Sequence, residues 1–587
     1  MAEGGETLDA HSWVALAFFL FALVFVIKPF QLHVKFIPWP IYLNLATMPA
    51  LSVLILLCSQ TIHIQTVRDG VLGTNVGMQP YAIMLLFYSL AYICISLDLT
   101  GLFQFLAFWV SRRAGSRGIL AFTLFFCLTS LISGLASNDV VILTGTAFLS
   151  YFTRVSGIEP TAFLMSEFTT ANIASMALYI GNPTNVVVAE AYDITFIEYS
   201  AWMLLPTFVS LGIAYIVLRI VFHNQRYVPH VIYSPDADPH SVLIDREGAI
   251  FGLVLLGTCM ATLVGTSFVS GVSVWMVTLP FALVMLIRDM MRDLGLDLHW
   301  NSRLFLRRMK PQPRPVLEQI ASRNEALSAA SIMVIPPALE SAPSSTIPLA
   351  RIRQHSSSDE EAPEVDMADS KDGDTDVVPP PVRRRTGSTL PGPSSRSSIQ
   401  SSTQREPGRV KKVKTWMERR LPTTAAVTMR MPWKILPFAL SMFVLVEGLS
   451  EVGWIGIFAK AMHVFTGHYV ATVFGVLLVS LIACQLLNNL PMTILLTRIL
   501  QHPSFATKSP LITQSAVLGL VVGSNLGACL TTVGSLAGIM FDHILKTKGI
   551  HTLGYFQFLK WNLILLPLIA GGCAAVVIGE LWFMYIR

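Results

Sequence analysis

Four short polar stretches interrupt long apolar runs in this 587-residue chain. Two are Ser137-Asn138-Asp139 and Gly181-Asn182-Pro183-Thr184-Asn185. The others are Asn488-Asn489-Leu490-Pro491 and Thr531-Thr532-Val533-Gly534-Ser535. Asn, Thr and Ser carry donors and acceptors together, so they can hold a polar or hydroxylated solute. Gly181, Pro183, Pro491 and Gly534 supply the helix breaks. Unwound backbone at membrane depth is tolerated only beside protein or a water-filled cavity. Freed helix N-termini add partial positive charge there. One break alone is equally well read as a kink capping its own ends. Four breaks, paired across two halves, favour a shared site instead. The candidate ligands are Asn138, Asn182, Thr184, Asn185, Asn488, Asn489, Thr531, Thr532 and Ser535.

Carboxylates at membrane depth are expensive and usually functional. Asp139, beside a break, is the first candidate for coupling to a proton or cation, and Glu167 in LMSEFTTAN is the second. Asp98 and Glu447 stand at span ends, and Asp193, Glu198 and Asp542 near helix ends, where water reaches them. No Lys or Arg falls inside a break; Arg498 sits at the rim of one. Such a pocket suits an uncharged polyhydroxy solute or a cation better than a dianion held by salt bridges. Cys484 and Cys529 lie near the breaks but read as small core hydrophobes. No HExxH, GxSxG or His/Asp metal set stands at membrane depth, so no metal, cofactor or catalytic residue is expected.

The elements that position these residues follow from composition. Hydrophobic residues make up 53% of the chain and charged residues 13%, about half the charge of a soluble protein. Mean hydropathy is +0.59. Residues 289–430 hold about half of the charges. This predicts a polytopic membrane protein with one long polar insertion and argues against a soluble enzyme; no nucleic-acid partner is expected. The start is polar and acidic, with no cleavable signal peptide visible. Spans are expected near 12–28, 39–58, 80–97, 161–191, 200–222, 247–266, 271–288, 433–450, 511–545 and 562–586. Residues 118–154 and 468–500 are each broken in the middle. Arg112, Arg113, Arg117 and Arg154 flank the first of them on both ends. The positive-inside rule therefore makes it a re-entrant hairpin, with 98–112 as an interfacial helix.

The two halves repeat. Asn138-Asp139 aligns with Asn488-Asn489, Asn172…Gly181 with Asn525…Gly534, WMLLP at Pro206 with NLILLP at Pro567, and Gly101 with Gly453. Five spans per half, an odd number, turn the second copy upside down. The predicted fold is all-α: two inverted repeats, about ten spans, two re-entrant hairpins and discontinuous helices. That is the architecture of secondary transporters, with sites at the midplane where helices break. The domain reading is 1–288 for repeat 1 plus the first two spans of repeat 2, 289–430 for a disordered cytoplasmic linker, and 431–587 for the rest.

SNDVVIL at 137–143, ANIASMALYIGNPTN at 171–185, NNLPMTIL at 488–495 and GSNLGACLTTVGSLAGIMFDHILKTKGI at 523–550 resemble the arsenical pump membrane protein family. That family lies within a wider ion transporter superfamily of silicon efflux carriers, sodium/dicarboxylate symporters and sodium/proton antiporters. The resemblance covers nearly everything except 289–430. It implies a hairpin tip at Asn138-Asp139, an unwound site at Asn182 to Asn185, and their partners at Asn488-Asn489 and Thr532 to Ser535. The dicarboxylate group's paired Ser-Asn-Thr tips read here Ser-Asn-Asp and Leu-Asn-Asn, a departure that weakens that reading. The expected function is proton-coupled export of a small metalloid oxyacid such as arsenite, antimonite or silicic acid. A sodium- or proton-coupled carboxylate carrier, a sodium/proton antiporter and a non-transporting membrane sensor are the alternatives. Expected partners are a small inorganic solute, protons or sodium, the lipid bilayer and a second copy in a homodimer. The plasma or vacuolar membrane is the expected location.

Overall fold

The computed structural model describes residues 8–32, 41–73, 79–233, 239–269, 271–296, 416–506 and 509–587. Their helices form two inverted repeats with the same order of elements. Each repeat opens with scaffold helices: Ala10–Ile27, Thr47–Cys58 and Ile64–Leu72, then Arg246–Thr266, Val274–Asp293 and Pro422–Arg430. A core span follows, Pro80–Leu99 or Ile435–Glu451. Next come a lateral helix (Leu102–Ala114; Trp454–Met462), a hairpin (Gly118–Leu135 with Asn138–Val155; Tyr469–Leu487 with Asn489–Gln501) and a broken helix (Thr161–Ala174 with Pro183–Ala191; Pro510–Leu530 with Leu536–Thr547). A long last span closes each repeat, Phe196–Val221 or Tyr555–Tyr585, with Pro206 and Pro567 inside. Ten of these helical stretches are long and apolar enough to cross a membrane.

The repeats clasp each other. Thr47–Cys58 and Ile64–Leu72 pack on the core span of the second repeat, and Val274–Asp293 and Pro422–Arg430 on that of the first. Hydrogen bonds and ion pairs fasten both clasps. Asp293 caps the start of Pro422–Arg430 through Thr423 N at 3.0 Å and Thr424 N at 2.9 Å. Arg430 then meets Asp98 at 3.1 Å. On the other side, Glu451 is held by His63 and Thr66. Of the polar insertion, residues 297–415 lie outside the described residues; its flanking helices at Asp293 and Pro422 are ordered and bonded to each other.

Both ends of the first hairpin sit on one face. Gly118 N donates to His230 O at 3.1 Å, while Arg226 Nε reaches Glu159 just past the far arm at 2.5 Å. Four residue steps separate Arg226 from His230, at most ~14 Å of chain, well short of the ~30 Å of hydrocarbon. The chain therefore enters and returns, as the arginines at 112–117 and 154 predict.

The 39–58 stretch departs from expectation. Asn44 Oδ1 accepts from Ala46 N at 2.9 Å, and Thr47 Oγ1 donates to Tyr42 O at 2.5 Å. That turn delays the helix to Thr47 and leaves 12 residues, Thr47–Cys58. At 1.5 Å per residue it is ~18 Å long and too short to cross. Before the turn, Phe30–Leu32 and Ile41–Leu43 pair as a small antiparallel ribbon.

The lateral helices both start from a glycine in the left-handed region, Gly101 at φ +87° and Gly453 at φ +88°. At Gly101 a Cβ would also stand 2.2 Å from the Val242 carbonyl oxygen. Left-handed backbone costs an L-residue about 1–2 kcal/mol, and this contact adds to it. Gly101→Ala is therefore expected to lower the thermal midpoint of the detergent-solubilised protein. A midpoint unchanged from wild type would mean that the turn relaxes freely.

Candidate functional site

The four breaks meet. A cavity of about 330 Å³ is lined by Asn138, Asp139, Asn182, Pro183, Thr184, Asn489 and Ser535, with Ile435, Leu490, Leu536 and Ala537 as its apolar part. Most of these residues open a helix. Asn138-Asp139, Pro183-Thr184, Asn489-Leu490 and Leu536-Ala537 are the first residues of four separate helices. Four helix N-termini thus converge on one space. Each carries up to about half a positive charge from its unpaired N–H groups. Reciprocal packing of the repeats brings them together: Asn138–Val155 lies on Leu536–Thr547, and Asn489–Gln501 on Pro183–Ala191.

A chain of amides joins the repeats behind the cavity, and each orientation is forced by the next. Asn185 Nδ2 donates to Ser175 O at 2.9 Å and Leu178 O at 3.2 Å, so its Oδ1 faces Asn525 Nδ2 at 2.7 Å. Asn525 Nδ2 also donates to Val521 O at 2.9 Å. Its Oδ1 must then accept, and it does so from Asn182 Nδ2 at 2.9 Å. That leaves Asn182 Oδ1 to cap Thr184 N at 3.2 Å. In this way Asn525 of the second repeat holds the unwound segment of the first.

The same logic fixes Asn138. Asn172 Nδ2 donates to Phe168 O at 2.9 Å, so Asn172 Oδ1 accepts from Asn138 Nδ2 at 3.0 Å. Asn138 Oδ1 is left buried without a partner. Beside it stands the Asp139 carboxylate. Among the described residues, neither Lys nor Arg lines the cavity.

The second hairpin tip is built differently. Asn488 adopts φ +69°, ψ 152°, a sparsely populated region for any residue but glycine. It is tied down by Nδ2 on Val533 O at 3.1 Å and by Asn489 N on Gly534 O at 2.9 Å. The helix caps are Ser137 and Asn488. By structure, then, Asn138 pairs with Asn489 and Asp139 with Leu490, one residue off the sequence alignment. Among the described residues Asp139 is the cavity's single carboxylate, since its counterpart Leu490 is apolar.

The other expected residues fall nearby or elsewhere. Asn185 and Asn488 stand behind the lining. Thr531 gives its hydroxyl to Gln485 Oε1 at 2.7 Å, and Thr532 is buried in the break without lining the cavity. Gly181, Pro491 and Gly534 shape the breaks. Glu167 is buried off this cavity, with Thr146 Oγ1 on its Oε2 at 3.1 Å. Glu447 pairs with Arg498 at the rim. Cys484 and Cys529 are buried, each with a weak contact to backbone carbonyls. Asn525, Asn172 and Gln485 were missing from the candidates. Asn172 and Asn525 were already visible as landmarks of the repeat, which was the signal that could have promoted them.

A family model described as "Citrate transporter" matches residues 10–306, and one described as "Arsenical pump membrane protein" matches residues 419–577. The chain is 28% identical over 138 residues to a putative arsenical pump membrane protein of Bacillus subtilis, covering 23% of this chain and 30% of that one. It is 28% identical over 177 residues to an arsenical pump membrane protein of Escherichia coli, covering 29% and 41%. The matched segments thus span less than half the length of these relatives. Among solved structures, the YdaH transporter of Alcanivorax borkumensis aligns over 98% of both chains at 12% identity, with a TM-score of 0.48.

Proposed function

This chain belongs to the citrate transporter family of the ion transporter superfamily, its residues 419–577 also matching the arsenical pump model, and from that premise we propose that it is a secondary carrier exporting a small metalloid hydroxide in exchange for protons. Arsenite, antimonite and silicic acid are of this class. The observation that carries the reading is the unpaired Asn138 Oδ1 beside Asp139, in a cavity without a fixed cation. Two acceptors there need a donor. A neutral hydroxide supplies O–H groups to both and offers its own oxygens to the helix N-termini. Asp139 takes the proton that returns. Asn138, Asn182, Thr184, Asn489 and Ser535 hold the solute. Asn185, Asn488, Thr531 and Thr532 hold the unwound backbone around it. Alternating access follows from the two repeats moving about this space.

One observation favours a second reading. Four convergent N-termini also suit a carboxylate, and the citrate-transporter model covers the first half of the chain. A carboxylate, however, leaves Asn138 Oδ1 unanswered and faces Asp139 as a like charge. Uptake of arsenite, silicic acid and citrate into proteoliposomes, under imposed proton or sodium gradients, separates the two. Accumulation of arsenite or silicic acid with the lumen acidic is expected. Accumulation of citrate alone would overturn the leading reading.

A further inference from the structure

A second cavity lies away from the four breaks. It is an open-sided pocket of about 450 Å³, counting the space at its open side, between the lateral helix Leu102–Ala114 and the two arms of the first hairpin. Phe103, Phe125 and Phe148 wall it, and among the described residues Glu167 is its single charged group. Glu167 reaches this wall past Gly145, where a Cβ would stand 2.2 Å from its Oε1. The glycine is what lets the carboxyl through the helix. Oε2 accepts from Thr146, while Oε1 is buried without a partner. A buried carboxylate with one oxygen unanswered is stabilised by a cation that brings its own donors. The surrounding aromatic faces favour that cation as well.

The mouth tells which kind of cation. Leu128 and Ile132 line the cavity half-buried, and Leu131, Leu135 and Leu143 on the same arms are exposed. In a membrane the exposed leucines meet acyl tails, so the hairpin arms that wall the cavity face lipid. An inorganic ion would have to arrive stripped of water and would leave most of the apolar space empty. A molecule with one ammonium and an apolar body fills both parts. We propose that this cavity binds a lipophilic amine entering from the bilayer, its ammonium on Glu167 and its body among Phe103, Phe125 and Phe148. The site is independent of the solute cavity and of what that cavity carries. Its occupant would wedge between the first hairpin and the lateral helix.

The test uses the full chain in detergent and three probes of one shape: 4-phenylbutylamine, 4-phenylbutanol and 4-phenylbutyrate. The amine is expected to raise the thermal midpoint saturably by about 2–4 °C, and the alcohol and acid to do less. Glu167→Gln is expected to remove the difference between amine and alcohol. Should that variant fail to fold, Leu128→Trp, which fills the mouth, is expected to lose the amine shift instead. Equal shifts for amine and alcohol in the wild type would overturn the proposal. So would no amine shift at all, or an amine preference that survives both variants.

Discussion

Replacing Asp139 by Asn is expected to uncouple transport from the proton gradient while leaving the solute pathway open. A difference of one pH unit is worth about 1.4 kcal/mol, a tenfold accumulation for each proton exchanged. Proteoliposomes of the wild type should reach about that ratio under a one-unit gradient, and Asp139→Asn should stay at parity. Exchange of labelled for unlabelled solute, which needs no net proton movement, should persist in the variant. The substitution is nearly isosteric and keeps an acceptor in the cavity, so the helix start at Asn138 should survive. Asp139 has no acidic counterpart to replace it, since the equivalent residue is Leu490. Gradient-driven accumulation that persisted in Asp139→Asn would remove this residue from the coupling step. Loss of exchange together with accumulation would instead mean that holding the solute requires the carboxylate itself and not merely an acceptor at this position.

The sequence shows the breaks plainly because they are chemical discontinuities. Asn, Asp, Gly and Pro in the middle of apolar runs have few explanations other than a hairpin tip or an unwound segment. The repeat is legible for the same reason: Gly101 and Gly453 meet one backbone requirement, the left-handed residue between core span and lateral helix. Three things were hidden. The amide chain through Asn525 depends on which side chains face each other across two repeats, and no spacing along one chain encodes that. The destination of Glu167 depends on Gly145, a neighbour on a different helix whose missing side chain gives it passage. The shortness of the Thr47–Cys58 helix is not legible in hydropathy, which counts apolar residues without registering the turn at Asn44. In the first two cases composition gave the right residue types and tertiary packing assigned their partners. The one-residue shift at the second hairpin has a similar origin: Asn488 takes the N-cap position that Ser137 holds in the first, but it spends its Nδ2 on the Val533 carbonyl where Ser137 caps Asp139 N.

Removing the Asn525 amide should cost more than any other single change near the cavity. Asn525→Ala strips partners from Asn182 Nδ2 and Asn185 Oδ1. Each buried group left unpaired costs about 1–3 kcal/mol, so ~2–6 kcal/mol is expected in all. That is a large share of a typical folding stability. The thermal midpoint should fall, and solute uptake should fall with it, because Asn182 caps a helix whose first residues line the cavity. Asn525→Asp should be nearly as damaging despite its matching size. It puts an acceptor where Asn185 Oδ1 and Val521 O both require a donor. The pair Asn182→Ala and Asn525→Ala separates this account from a general loss of packing. Residues in one hydrogen-bond network are not additive. The double variant should therefore be little worse than Asn525→Ala alone, because the bond between them is lost once. Additive midpoint shifts, or an Asn525→Asp protein with wild-type stability and uptake, would show that the unwound segment is held by something other than this chain of amides.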